Sequence, residues 1–183
     1  MEICLCVSSM SMEQRWEIFN LLRRAKSQMR CFEEVRKEFK KFPNVETKLP
    51  ERATTQSAGY DFYSKEDFIV APGGFHMTWT DVKAKMFFDN VLEIYTRSGN
   101  GIKRGIILKN NVGIIDSDYY SNVDNDGNIG IGLLNTGDKP FEVHVGDRIA
   151  QGIFTRYLIV SDDKFKNSEN TSSRDGGFGS SGR

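Results

Sequence analysis

From Pro43 to about Val160 the chain is a succession of short apolar runs cut by glycine, proline, asparagine and aspartate, and no helical period survives between them. That punctuation leaves no room for a long helix and points to an all-β sandwich or barrel. The candidate strands are 58–63, 68–71, 75–79, 91–95, 105–108, 129–134, 141–145 and 148–160. Phe75, Met77 and Trp79, like Phe141, Val143 and Val145, alternate with polar residues, the period of a half-buried strand. Gly105-Ile106-Ile107-Leu108 and Gly113-Ile114-Ile115 flank the polar turn Lys109-Asn110-Asn111 and read as a β-hairpin. Two carboxylates, Asp116 and Asp118, follow at strand spacing on one face, and then the ring of Tyr119.

The ends of the chain have a different texture. Ser11 with Gln14 three residues later is a capping box, and Trp16, Ile18, Phe19, Leu22, Ala25 and Met29 recur with a helical period, predicting a helix over Met12–Gln28. Beyond Ser161 the composition turns to Asp, Lys, Asn, Ser and Gly, a flexible Gly-rich arm that cannot bury enough apolar surface to order itself. The organisation expected is therefore a helical extension (1–28), a β domain (29–160) and an arm (161–183). Lys+Arg and Asp+Glu balance at 25 each, so no global field draws in nucleic acid or an acidic membrane, and any anion site is local. The apolar runs are too short to span a bilayer, and the N-terminus lacks the pattern of a signal peptide. Three cysteines make neither a disulfide framework nor a zinc site, and reduced thiols in a cytoplasmic protein are the expectation.

Four local patterns carry possible chemistry. Thr96-Arg97-Ser98-Gly99-Asn100-Gly101-Ile102-Lys103-Arg104 joins glycines, a hydroxyl and cations, the groups that cradle phosphate, without P-loop spacing. Read alone it is equally a solvated loop. Gly146-Asp147-Arg148-Ile149-Ala150-Gln151 is a turn entering a strand, and Gln151 needs a partner if buried. Asp124-Asn125-Asp126-Gly127 fails as a calcium loop, because a loop begun at Asn122 has Leu133 where the terminal glutamate belongs, so it reads as a turn. In the tail, Arg174 and Phe178 among glycines are the residue types of an arm that closes on an anionic aromatic ligand. His76 and His144 read as structural or exposed.

Together these pieces resemble, in order, the five motifs of the trimeric deoxyuridine triphosphatases (dUTPases), in their bacterial and phage branch. Ala58-Gly59-Tyr60-Asp61-Phe62-Tyr63-Ser64 resembles the first and Arg97-Ser98-Gly99 the second. Gly113-Ile114-Ile115-Asp116-Ser117-Asp118-Tyr119 resembles the third, Gly146 through Gln151 the fourth and Arg174 through Gly182 the fifth. The family's start resembles Met29-Arg30-Cys31-Phe32-Glu33, which favours a strand near 31–36 over the continued helix that Phe32, Val35 and Phe39 allow. Residues 1–28 have no counterpart there and are either an interaction helix or the product of an upstream start codon. Two departures stand out. Ser121 follows Tyr120 where many members have glycine, and the stretch 122–128 is longer than the usual turn.

The resemblance implies a jelly-roll-like homotrimer with shared active sites that hydrolyses dUTP to dUMP and pyrophosphate, limiting uracil in DNA and supplying dUMP for dTMP synthesis. It implies Asp116 as the base that activates water for attack at the α-phosphorus. Mg²⁺ would ride on the triphosphate, with Asp61 holding it through water. Arg97, Ser98, Gly99, Gln151 and Arg174 are implied at the phosphates, with Phe178, Gly179 and Ser180 in the closing arm. Asn110, Gly113 and Ile115 are implied around the uracil, and Tyr119 under the deoxyribose. Two other readings compete. A dCTP deaminase of the same fold would carry a catalytic glutamate three residues before Asn135, where this chain has Gly132. A dUTP-responsive regulatory protein would bind its partner through the N-terminal helix or the 122–128 stretch.

Overall fold

A computed structural model describes residues 10–28 and 30–162. Its elements are α1 (Met12–Gln28), β1 (Cys31–Glu34), β2 (Glu51–Arg52), β3 (Tyr60–Tyr63), β4 (Phe68–Val70), β5 (Phe75–Trp79), β6 (Val82–Lys85), β7 (Asn90–Thr96), α2 (Ser98–Arg104), β8 (Ile106–Leu108), β9 (Gly113–Asp116), β10 (Gly130–Asn135), β11 (Phe141–Val143) and β12 (Arg148–Arg156). Short 3₁₀ turns lie at Lys37–Phe39 and Ser117–Tyr119. The strands form a five-stranded sheet ordered β2-β3-β12-β7-β9, a three-stranded sheet β5-β10-β8, and the pairs β1-β6 and β4-β11. All strand pairs are antiparallel.

One apolar core joins them. Phe62, Leu92, Ile94 and Ile149 come from the large sheet, Ile106, Leu108, Ile131 and Leu133 from the three-stranded one, and Val70, Val82, Phe141 and Val143 from the two pairs. Sheets that bury their inner faces on a common core make the expected jelly-roll-like sandwich. In β12 the pairing with β3 slips between Arg148 and Ala150, a bulge that turns the adjacent Ile149 and Ala150 both inward at 0% exposure. The same slip leaves Arg148 to reach across to β3.

The capping box of α1 forms as expected: Ser11 N–H donates to Gln14 Oε1 at 2.9 Å and Gln14 N–H to Ser11 Oγ at 3.2 Å. Among the described residues none of α1 joins the core, and Met12, Trp16 and Leu21 stand exposed.

Several expectations are corrected. β8 and β9 are not a hairpin: β8 pairs with β10 and β9 with β7, so residues 109–112 arch between two sheets. Asp118 does not share a strand face with Asp116, because the chain turns into the 3₁₀ helix at Ser117. The phosphate-type loop after Arg97 is helical. Two glycines hid it, and it is closed by Gly105 in the left-handed region (φ 68°), only 2.7 Å from Gly137 N if a Cβ were added. On β5 the buried residue is Thr78 (0%), while Phe75, Met77 and Trp79 face outward. The last strand ends at Arg156, opposite the first residue of β7, so Leu158, Ile159 and Val160 have no ladder and are exposed. β2 and β6 have no counterpart among the predicted strands.

Candidate active site

Two distinct sites emerge. The first is a crossroads at Asp61. In the large sheet Gln151 of β12 lies between Asp61 of β3 and Tyr95 of β7. Asp61, only 6% exposed, accepts from Arg97 Nε at 2.8 Å through one oxygen and from Arg148 at 3.2 Å through the other. Three segments far apart in sequence thereby meet on one carboxylate. Gln151 finds the partner its burial requires, donating from Nε2 to the Thr96 carbonyl at 3.2 Å. Gly59 packs against this amide: a Cβ there would sit 2.6 Å from Gln151 Oε1, so a larger residue would make the Gln151 side chain move.

From Arg97 the chain enters α2, whose buried Asn100 anchors it by donating to the Arg148 carbonyl at 3.4 Å. Ser98 and Gly99 occupy the exposed first turn, and nothing stands within 4 Å of a Cβ at Gly99. The first N–H groups of a helix lack intrahelical acceptors, so this turn offers donors to an anion.

The second site is a cavity of about 670 Å³ under the arch. Asn111 takes φ 61° to turn the arch, with its N–H donating to Leu108 O at 3.0 Å, and Lys109 N–H donates to Gly132 O at 2.9 Å. Asn110, Gly113 and Ile115 line the cavity together with Tyr119. Another part of the wall is the paired strands β5 and β10, where glycines of β10 make room for the side chains of β5. A Cβ at Gly130 would fall 2.4 Å from Met77 Cε, and one at Gly132 would fall 2.9 Å from Phe75 Cε2. Sequence reading missed this wall. The Gly130-x-Gly132 alternation opposite Phe75-x-Met77-x-Trp79 is the signal that could have found it.

Tyr119 is 6% exposed and held at both ends by the stretch 122–128. Its hydroxyl donates to Asn128 O at 2.9 Å and accepts from Asn125 Nδ2 at 2.6 Å, and its carbonyl accepts from Asn122 Nδ2 at 2.9 Å. That stretch is anchored from beneath. Buried Asp126 accepts from Arg36 N at 2.7 Å and from Lys83 Nζ at 2.9 Å, and Lys65 pairs with Asp81 at 3.1 Å. Burial opposes ionisation of Asp126, yet the Arg36 N–H and the Lys83 ammonium outweigh it and hold its pKa below the usual carboxylate value. Asp81 is depressed in the same way: burial works against it, and the Lys41 N–H and Asn128 amide prevail. Next door, burial and then the Glu33 carboxylate push the Tyr120 phenol up to about 12.

Asp116, half-buried, ends β9 opposite Val91, whereas Arg97 follows Thr96 at the other end of β7. Six residues of extended chain separate those levels, roughly 20 Å at ~3.3 Å per residue. One copy therefore brings Asp61, Arg97, Arg148 and Gln151 together, and separately Asn110, Gly113, Ile115 and Tyr119, but does not join the first set to Asp116. Arg174, Phe178, Gly179 and Ser180 lie outside the described residues. Of the histidines one is structural and one exposed: His76 stacks on Phe68 at 4.0 Å, and His144 stands in solvent. Asn135 is fully buried and donates to the Val70 and Lys139 carbonyls, and Gly132 beside it carries no acid. Among the described residues no helix is long and apolar enough to cross a membrane.

A family model described as dUTPase matches residues 45–182. The deoxyuridine 5′-triphosphate nucleotidohydrolase of Lactococcus lactis is 39% identical over 142 residues, covering 78% of this chain and 93% of that protein. Among solved structures, the dUTPase of Streptococcus mutans superposes with a TM-score of 0.62 at 35% identity, over 71% of this chain and 98% of that one. The dUTPase of Staphylococcus aureus phage phi11, a structure that displays a species-specific insert, shares the fold at a TM-score of 0.59 and 20% identity, over 76% of this chain and 97% of its own.

Proposed function

This chain belongs to the dUTPase family, and we propose that it cleaves dUTP to dUMP and pyrophosphate at sites that two or more copies complete together. The observation that carries the shared site is the separation along β7. A base must stand within about 3 Å of the water it deprotonates, and that water within about 3.5 Å of the phosphorus. Groups on the same phosphate chain are then several ångströms from the base, not ~20 Å. A second copy, in a closed ring of three, supplies the crossroads to the arch of the first.

In this reading the uracil enters the cavity. The main chain of the arch and Asn110 read its edge, Gly113 and Ile115 shape the walls, and the confined arch leaves no room for a 5-methyl group. Tyr119 lies under the deoxyribose, where a 2′-hydroxyl clashes. Asp116 accepts the proton of the attacking water at a carboxylate oxygen. From the neighbouring copy the Ser98 and Gly99 amides, with Arg97 and Gln151, hold the phosphate oxygens. Arg174, Phe178, Gly179 and Ser180 form the arm that closes over them and excludes water.

The residues suit a divalent cation carried by the substrate, with Mg²⁺ the natural choice. Among the described residues no three His, Cys, Asp or Glu side chains cluster into a protein cage. Asp61 spends one bond per oxygen on Arg97 and Arg148, and a carboxylate retains lone pairs for a metal-bound water. Such an ion, when bound, neutralises charge on the triphosphate.

The test is complementation. Asp116→Asn and Arg97→Ala homo-oligomers should each be nearly inactive in pyrophosphate release. Refolded together in equal amounts, about a quarter of sites receive an intact Asp116 from one copy and an intact Arg97 from its neighbour. A mixture that stays inactive, with mixed oligomers confirmed by native mass spectrometry, would sink the shared site.

A further inference from the structure

We propose that Asn125 is a positioning residue for sugar selection, holding the Tyr119 ring rigid so that it rejects a ribose. This rests on the reading of Tyr119 as the deoxyribose platform. The reasoning starts from what a platform needs. An apolar pocket that merely touches its ligand rejects an added hydroxyl poorly, by a factor of about 10² at best, because a small displacement of the wall admits the extra atom. Selection against a 2′-hydroxyl therefore depends on how firmly the wall is held.

Tyr119 is held through its polar tip. Its only hydroxyl proton goes to the Asn128 carbonyl at 2.9 Å, and one lone pair takes the Asn125 amide at 2.6 Å. Removing either partner takes away one of these two restraints on the tip of the ring. Asn125 is in turn tied into its loop through side chain and backbone. Its Oδ1 accepts from Asn122 Nδ2 at 2.8 Å and from Gly127 N at 3.0 Å, and its N–H donates to Asn122 Oδ1 at 3.1 Å. Asn122 then holds the Tyr119 carbonyl, so one short loop fixes both the root and the tip of the ring. Gly127 completes the fit. Its φ of 83° suits glycine, and a Cβ there would lie 2.8 Å from the Tyr119 carbonyl oxygen. The loop thus acts as a bracket for one ring that lines the cavity.

The readout is the ratio of kcat/KM for dUTP to that for UTP, which a purely stabilising loop does not move. Asn125→Ala should lower the ratio about tenfold, mainly through faster UTP turnover, while dUTP turnover changes little. Tyr119→Phe, which removes the hydroxyl, should lower it to a similar extent, and the double variant should be no worse than either single one. Tyr119→Leu should abolish most of the selectivity. Three results would overturn the proposal: a ratio unchanged in Asn125→Ala while Tyr119→Leu loses selectivity, independent and multiplying effects in the double variant, or an unchanged ratio in Tyr119→Phe. The last serves also if Asn125→Ala does not fold. A ratio unchanged in Tyr119→Leu itself overturns the platform reading and the proposal with it.

Discussion

The arch cavity and the Asp61 crossroads share the strand β7 and are built in opposite ways. The crossroads is made of charge: one nearly buried carboxylate receives two guanidinium groups from separate segments. The cavity is made of omission. Glycines at 113, 130 and 132 leave out the Cβ atoms that would meet Ile94, Met77 and Phe75. Charge neutralises a phosphate wherever it is brought within reach, so under the proposed function the crossroads is a unit that a neighbouring copy can deliver. Shape selects a base only if the walls stay fixed, so the cavity is braced by a loop with two buried ion pairs beneath it. On the proposed function, mobility is tolerable at the phosphate end of the substrate and ruinous at the base.

The largest effect should come from the group that belongs to neither wall. Asp116→Asn keeps the shape and loses only the proton acceptor. It should lower kcat on the order of 10³-fold while dUTP still binds, the scale of a lost general base. Asp118, exposed on the 3₁₀ turn, should matter by no more than about threefold on change to Asn, a minor polar adjustment. Pyrophosphate release by the two variants decides it, and a more sensitive Asp118 would show that the base is misassigned.

Breaking the brace comes next. Asp126→Asn leaves the Lys83 ammonium buried without its carboxylate, a loss of about 3–5 kcal/mol in comparable buried pairs. The pH dependence has a definite sign. Asp126 and Asp81 have folded pKa values depressed below those of the unfolded chain. Their contribution is complete above the ordinary carboxyl value of about 3.9 and is lost as pH falls through the folded values. Thermal melts from pH 6 downward should show Tm falling in acid, and less steeply in Asp126→Asn. Parallel curves for the two proteins would mean that Asp126 does not carry this linkage.

The same contrast explains what the sequence could reveal. The crossroads was legible in part: Asp61, Arg97 and Gln151 are chemically conspicuous and stand in motifs whose order resembles one family, whereas nothing in the sequence placed the Arg148 guanidinium on Asp61. The wall of the cavity was not legible, since Gly130 and Gly132 signal only a weak strand until β5 is known to pair beside them. The hairpin reading failed for a related reason. Local turn chemistry at Lys109–Asn111 cannot tell a strand that returns to its neighbour from one that crosses to another sheet, and non-local pairing with β7 and β10 decided it. The β5 alternation gave the correct period and the wrong side, because Phe75, Met77 and Trp79 face a cavity rather than the core.

A smaller change probes the wall directly. Gly132→Ala places a methyl group 2.9 Å from Phe75 Cε2, and Phe75, half exposed and part of the cavity lining, must shift. KM for dUTP should rise about tenfold with kcat nearly constant, the signature of binding lost equally from ground and transition states. A fall in kcat of the same size would place the defect at the reacting atoms and blur the division between shape and chemistry.

The smallest effect is a gain, and it isolates the backbone of the brace. Ser121 sits at φ 57°, the left-handed region that favours glycine. An L residue there carries a strain of about 1–2 kcal/mol. Its hydroxyl offsets little, since it accepts from Lys83 Nζ only at 3.3 Å and that ammonium already has Asp126 at 2.9 Å. Glycine removes the strain, but it also frees the unfolded chain, which returns about 0.4–1 kcal/mol. Ser121→Gly should therefore stabilise the protein by about 0.5 kcal/mol, a rise in Tm of about 1–2 °C for a chain of this size. Ser121→Ala separates the two terms: it loses the hydroxyl, keeps the Cβ, and should be no more stable than the parent. If Ala and Gly raise Tm equally, the strain is not at the backbone and the gain comes from removing the hydroxyl. Because Ser121 precedes the bracket and does not touch Tyr119's hydroxyl, the preference for dUTP over UTP should stay constant across both variants, which distinguishes a firmer loop from a better-held ring.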